Sequence, residues 1–115
     1  MKTIGCDIIE IKRIEKAMEK ENFLQRWFSE REQKLFELKK FLPQTVAGNF
    51  AAKEAFVKAL GTGFSGIRPA DIEILRDEKG KPIVRAKGIS QKCDVSISHC
   101  QEYAMAVVLM EKDEL

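Results

Sequence analysis

The chain has 115 residues, 44% hydrophobic and 33% charged, the composition of a soluble globular domain large enough for one core. Its 20 Lys and Arg against 18 Asp and Glu leave a formal charge of +2, which demands no nucleic-acid partner. No apolar run approaches the ~18 residues of a membrane span, and the first residues lack a signal-peptide core. The three cysteines, Cys6, Cys93 and Cys100, have no C-x-x-C spacing and read as free thiols of a reducing cytoplasm.

Residues 2–9 are rich in β-branched side chains and read as a strand. Both faces are mostly apolar, so the strand is expected to be central or well covered. Asp7 sits inside it, although aspartate is disfavoured in strands and costly to bury alone. It is either a strand-end residue bonding local backbone or a metal ligand or general base. Glu10 to about Lys20 predicts a helix with Ile11, Ile14, Ala17 and Met18 on its apolar stripe. Lys12, Arg13, Lys16 and Lys20 lie outside, either solvated or offered to an acidic partner. Phe23, Leu24, Trp27 and Phe28 form a short helical segment. Ser29 and Glu32 have the spacing of a capping box. That box opens a helix to about Lys40, with Leu35, Phe36 and Leu38 inward.

Pro43 breaks the chain, and a second long helix is expected from about Thr45 to Leu60. Gly61 stops it, because a left-handed position carries no Cβ penalty there. Phe50, Glu54 and Lys58 form one row of this helix, while Ala52, Phe56, Ala59 and Leu60 cover another side. A helix apolar on nearly all sides is buried, and a carboxylate on it needs a cation. The bland alternative for Glu54 is a surface pair with Lys58, worth only about 0.2–0.5 kcal/mol.

Gly61 to Gly66 matches G-x-G-x-x-G. A dinucleotide loop follows a strand and opens a helix; this one follows a helix and runs towards Pro69 and a strand. It lacks the Lys-Ser/Thr of a Walker loop. What remains is a flexible loop whose backbone can approach a ligand closely. Asp71–Arg76 and Ile83–Ala86 form a hairpin about the turn 77–82. Gly88 to about Lys92 reads as one helical turn, and Asp94–His99 as a strand. Tyr103–Met110 is a last strand, apolar on both faces and therefore central. The tail from Glu111 is expected to fray. His99, the only histidine, follows Ser96 and Ser98 at a strand end. These residues either are structural or give donors for an anion such as phosphate. Cys100 beside His99 is not a nucleophile–base pair, because neighbouring strand residues point to opposite faces.

Three stretches, taken in order, resemble one family. They are Gly5-x-Asp7-Ile8-Ile9-Glu10-Ile11, then Phe50-Ala51-Ala52-Lys53-Glu54-Ala55-x-x-Lys58-Ala59-x-Gly61-Thr62-Gly63, then Ser96-Ile97-Ser98-His99. They resemble the short bacterial 4′-phosphopantetheinyl transferases, the holo-acyl-carrier-protein synthases, over essentially the whole chain. The resemblance implies one α+β domain, residues 1–115, with a mostly antiparallel sheet packed against helices. It implies transfer of the phosphopantetheine arm of coenzyme A to a serine of apo-acyl carrier protein, releasing adenosine 3′,5′-bisphosphate, in cytoplasmic fatty acid biosynthesis. It implies magnesium held by Asp7 and Glu54, with Lys58 on phosphate and Asp7, Glu54 and Lys58 as the catalytic set. Lys53, Gly61, Gly63, Ser98 and His99 would join Lys58 in binding coenzyme A. Arg13, Lys16, Lys20 and Arg26 would receive the acidic carrier protein. Active sites would lie between the subunits of a homotrimer.

Two positions depart from that family. Asn49 stands where an arginine often precedes the Phe-Ala-Ala-Lys-Glu run, so another cation would have to serve. Ile9 stands where larger relatives often place a third acidic residue, so the metal shell would lean on water and phosphate. A non-catalytic binding module is the other class of reading. Trp27 and Tyr103 show no basic–aromatic interleaving to support it as a nucleic-acid binder. A family member that has lost activity is the third.

Overall fold

The computed structural model describes residues 1–112. The chain runs β1 (Lys2–Glu10), α1 (Ile11–Met18), α2 (Phe23–Trp27), α3 (Glu30–Leu38) and α4 (Pro43–Leu60). A 3₁₀ turn (Pro69–Asp71) then leads into β2 (Ile72–Arg76), β3 (Pro82–Ala86), β4 (Cys93–His99) and β5 (Tyr103–Glu111). This is the expected α+β architecture of antiparallel strands and helices, but the strands form two sheets. One has the order β1-β5-β4 and the other is the β2–β3 hairpin.

α4 lies on one face of the three-stranded sheet. Its buried residues include Ala51, Ala55, Phe56, Val57 and Ala59, which meet Val95, Ala106, Val108 and Met110 of the sheet and Ile72 and Ile74 of β2. A second cluster, Ile14, Phe28, Phe36, Val46, Ala47 and Ala104, packs α1, α2 and α3 onto the first half of α4. Small side chains let helix and sheet approach closely. At Gly5 an added Cβ would stand 2.0 Å from the Ala55 carbonyl oxygen and 2.6 Å from the Ala59 amide nitrogen. Only glycine fits there, and the Thr3 hydroxyl donates to the Ala59 carbonyl beside it at 2.8 Å.

The capping box forms, with Ser29 Oγ accepting from the Glu32 amide and Glu32 accepting from the Ser29 amide. β5 is central, as its two apolar faces require. β1 is not. It is an edge strand, and Ile4 and Ile8 on its far face are 68% and 66% exposed. Two apolar faces indicated cover on both sides; within one chain only the Gly5 face has it. Pro43 does not separate α4 from the chain before it but occupies its first turn, where the missing N–H would have had no partner. Leu38 faces solvent rather than the core, because α3 ends there and the chain turns left-handed at Lys40 and Phe41. Residues 88–92 form no helix. Glu111 closes β5 rather than opening a tail, and residues 113–115 lie outside the described residues.

Candidate active site

β1 and α4 bring Asp7, Glu54 and Lys58 together. Asp7 lies two residues beyond Gly5 on the face turned to α4, where the close approach brings strand and helix nearest. Lys58 Nζ donates to the Cys6 carbonyl at 2.9 Å and to Asp7 Oδ1 at 3.3 Å. The lysine thus turns across to the strand instead of back along the helix to Glu54, and no Glu54–Lys58 ion pair forms among the described residues. Glu54 is half-buried one turn earlier. Burial pushes its carboxyl above the ordinary carboxylate range, and the charge of Asp7 pushes it further. Lys58 opposes them, and no hydrogen bond joins it among the described residues. Two carboxylates this close, one partly dry, suit a hard divalent cation that completes its shell with water or phosphate oxygen. No third His, Cys, Asp or Glu joins them among the described residues.

α4 ends at Gly61, whose left-handed conformation (φ +87°) lets its amide cap the helix on the Val57 carbonyl. Gly63 (φ +58°) follows in an open loop one turn beyond Lys58, with no neighbour inside 4 Å of where its Cβ would be. Both glycines lie where the sequence places them, at the helix end nearest the carboxylates.

Ser98 and His99 do not join this cluster within one chain. The register pairs Asp7 with Ala106 and Ala106 with Ile97, so β5 separates the two strands. His99 shares the helix-side face with Ile9, whereas Ser98 shares the open face with Ile8. The three-donor strand end suggested by Ser96, Ser98 and His99 therefore divides over two faces. Ser98, His99 and Cys100 instead border a shallow apolar pocket of ≈ 340 Å³ with Ile8, Tyr103 and Met105.

Lys53 is a correction. It is fully buried, and its ammonium donates to Glu32 Oε1 at 2.6 Å, to the Pro69 carbonyl at 2.9 Å and to the Ile72 carbonyl. All three protons are engaged, so nothing remains for a substrate phosphate. Glu32, also fully buried, takes the Asn49 amide at 3.1 Å and the Ile74 amide at 3.3 Å on its other oxygen. Burial moves the Glu32 carboxyl up and the Lys53 ammonium down. Asn49 Oδ1 accepts from Arg76 at 2.8 Å. Asn49 is thus a core residue, and the cation beside it comes from β2. The sequence alone gives Glu32 as a cap and Asn49 as a missing cation; it does not connect either with Lys53 or with Arg76. The available signal was Lys53 itself, a charge between Ala52 and Ala55 on a buried helix.

Arg13, Lys16, Lys20 and Arg26 are all exposed, on α1 and α2 and the link between them, and none forms an ion pair among the described residues. They are unengaged cations on the side of the molecule that carries α1 and α2.

Asp7, Glu54 and Lys58 meeting across β1 and α4, with an open glycine loop after the helix, make a polar site able to take a cation and an anionic ligand. The family model of the 4′-phosphopantetheinyl transferase superfamily matches residues 3–108, and the chain belongs to that family. It is 48% identical over 120 residues to the holo-[acyl-carrier-protein] synthase of Clostridium botulinum (strain Alaska E43 / Type E3), covering 96% of this chain and 98% of that one. It is 51% identical to the synthase of Clostridium beijerinckii, covering 94% and 95%. Among solved structures, the Bacillus anthracis synthase in complex with coenzyme A (3′,5′-ADP) is 40% identical with a TM-score of 0.84, covering 96% of each chain. The Helicobacter pylori synthase in complex with coenzyme A is 35% identical with a TM-score of 0.85, covering 94% and 99%.

Proposed function

We infer that the chain transfers the 4′-phosphopantetheine group of coenzyme A to a serine of apo-acyl carrier protein, leaving adenosine 3′,5′-bisphosphate. Family membership sets the reaction class. The observation that carries the residue assignment is the meeting of Asp7, Glu54 and Lys58 across β1 and α4.

Asp7 and Glu54 would hold magnesium, which when bound supplies charge for the pyrophosphate of coenzyme A. Lys58 is half-exposed, so its ammonium can leave Asp7 for a phosphate oxygen as charge develops there. Glu54, acting through water, would accept the serine proton. The serine belongs to the carrier, so this chain needs no nucleophile of its own. Arg13, Lys16, Lys20 and Arg26 supply complementary charge for the acidic carrier.

The assembly that fits is a homotrimer with the cleft between neighbours. Two features support it. Ile4, Ile8, Met105 and Leu109 expose an apolar sheet face, of the kind that marks an interface. Ser98 and His99 also stand apart from the carboxylates within one chain. A cytoplasmic place in fatty acid biosynthesis agrees with the carrier substrate, and among the described residues no helix is long and apolar enough to cross a membrane.

The test is mass spectrometry of apo carrier protein incubated with this chain, coenzyme A and magnesium. Gain of one phosphopantetheine, lost on omitting magnesium and in Asp7→Ala and Glu54→Ala, is the expected result. An unmodified carrier with the parent chain sinks the reaction; normal turnover in either variant sinks the assignment of that residue. Sedimentation of the parent and of Ile8→Asp tests the trimer, which the charged variant should dissociate.

A further inference from the structure

α4 is an alanine-rich rod. Ala51, Ala55 and Ala59 face β1 and β5, and Ala47 and Ala52 are equally buried. That strip permits close approach but offers no knobs; Val46, Phe56 and Val57, buried on other sides of the helix, limit its rotation without setting it as finely as a directional bond would. A turn of one residue step, about 100°, would swing Glu54 and Lys58 away from Asp7. Something must hold that angle.

Asn49 and Lys53 are one turn apart on α4, and both hold the buried Glu32 carboxylate. Four donors converge on that carboxylate, from Ser29, Asn49, Lys53 and Ile74. They come from the start of α3, from two turns of α4 and from β2. Hydrogen bonds are directional where alanine contacts are not, and buried polar groups are best attested as devices that select one register. Lys53 has a further effect. Its bonds to the Pro69 and Ile72 carbonyls bracket the 3₁₀ turn at which the chain leaves the glycine loop. The loop is therefore moored to α4 at both ends, by the Gly61 cap at its start and by Lys53 at its finish.

We propose that Glu32 and Lys53 are positioning residues for the transfer: their buried pair fixes the rotation of α4, so that Glu54 and Lys58 face Asp7, and fastens the far end of the glycine loop. This rests on the site assignment above, with neither residue touching substrate. The pair's stabilising value is not the proposal, because a buried ion pair exchanged for neutral groups of similar size is often neutral in stability.

That exchange is the test. Glu32→Gln with Lys53→Met removes both charges and keeps both volumes. Amide hydrogen exchange is followed on the metal-free protein, and transfer kinetics below the melting transition. The expected result is a cooperatively folded variant whose Asp71 and Ile72 amides, bonded in the 3₁₀ turn that Lys53 holds, exchange about tenfold faster, while those of β1 and β5 keep their protection. Its kcat should fall at least about tenfold and its KM for coenzyme A rise. Parental exchange at Asp71 and Ile72, together with kcat and KM within about twofold of the parent, overturns the proposal even if the melting temperature drops, since the pair would then be structural only. Should the double variant not fold, Glu32→Asp keeps the ion pair, shortens its reach by one methylene and is judged by the same two readouts. Glu54→Ala in parallel separates the two claims. If it transfers normally, the site assignment has failed; if it is inactive while the Glu32/Lys53 variant is normal, only the positioning role has.

Discussion

Gly5→Ala is the substitution for which the structure gives the firmest magnitude. The new Cβ would stand 2.0 Å from one α4 backbone atom and 2.6 Å from another, where real Cβ atoms are essentially never nearer than 3.0 Å. Backbone cannot rotate aside, so α4 must retreat from β1 by about 1 Å, which forfeits about a quarter to a half of the dispersion across that seam. Overpacking of this kind costs about 1–3 kcal/mol, and losing the 2.8 Å Thr3–Ala59 bond adds about 1 kcal/mol. Removing glycine from the unfolded chain returns about 0.4–1 kcal/mol. The net is about 1–3.5 kcal/mol, or roughly 4–15 °C in melting temperature for a domain of this size. Activity should suffer more than stability, because the same retreat parts Asp7 from Glu54, and about 1 Å of misplacement can cost about a hundredfold in rate. Circular-dichroism melting and carrier modification below the transition measure the two. Gly48→Ala is the control. Its Cβ would meet only the Ile97 Cγ2 methyl at 2.9 Å, a far slighter overlap, and alanine is the better helix former by about 1 kcal/mol, so it should melt well above Gly5→Ala. A Gly5→Ala protein within about 3 °C of the parent and with parental kcat would mean that the seam is looser than this geometry and does not set the carboxylate spacing.

Asp7→Ala and Glu54→Ala should each lower kcat/KM by at least about a hundredfold, about 3 kcal/mol, with the fold intact by circular dichroism. Lys58→Ala should leave the melting temperature almost unchanged, because its half-exposed pair with Asp7 is worth less than about 1 kcal/mol, while KM for coenzyme A rises. Charge reversal of Arg13 and Lys16 should raise KM for the carrier but not for coenzyme A, and added salt should do the same; insensitivity to both would show that face to be merely solvated. Glu54 carries a raised pKa, so its contribution to stability is complete below the unfolded value of about 4.3 and is lost as pH rises through the folded one. Metal-free Glu54→Gln should therefore melt above the parent at neutral pH and lose that advantage in acid; equal melting curves at both pH values would refute the burial of charge there.

The candidate site's carboxylates are legible because each breaks a local rule, Asp7 in a strand and Glu54 on an apolar helix. Lys53 broke the same rule as Glu54 and was assigned instead by motif position, to substrate. Its partner Glu32 was hidden because the capping box with Ser29 already accounted for it, and one glutamate can fill both roles through two oxygens. The helices and the hairpin followed from periodicity, caps and turn residues. The edge position of β1 did not, because alternation reports which faces want cover and not whether the cover comes from the same chain. For the same reason Ser98 and His99 looked like one donor set. Their sequence proximity is real, but strand geometry sends them to opposite faces, and only the β4–β5–β1 register shows which face also holds Asp7.

Neighbouring residues Lys53 and Glu54 on one helix separate fold from function. Both carry charge into partly or wholly dry surroundings, and both are perturbed first by burial. Lys53 is satisfied completely by the protein, with an acceptor for every proton. Glu54 faces a like charge, Asp7, and has no hydrogen bond among the described residues to offset it. A chain optimised only to fold would not set two carboxylates beside a single half-exposed lysine, since removing one carboxylate would relieve the excess charge. The residual repulsion between Asp7 and Glu54 is what the divalent cation of the proposed function would relieve. It is also why the stability gain expected for metal-free Glu54→Gln should shrink or reverse when magnesium and coenzyme A are present, because ligands that bind only the parent's site stabilise only the parent.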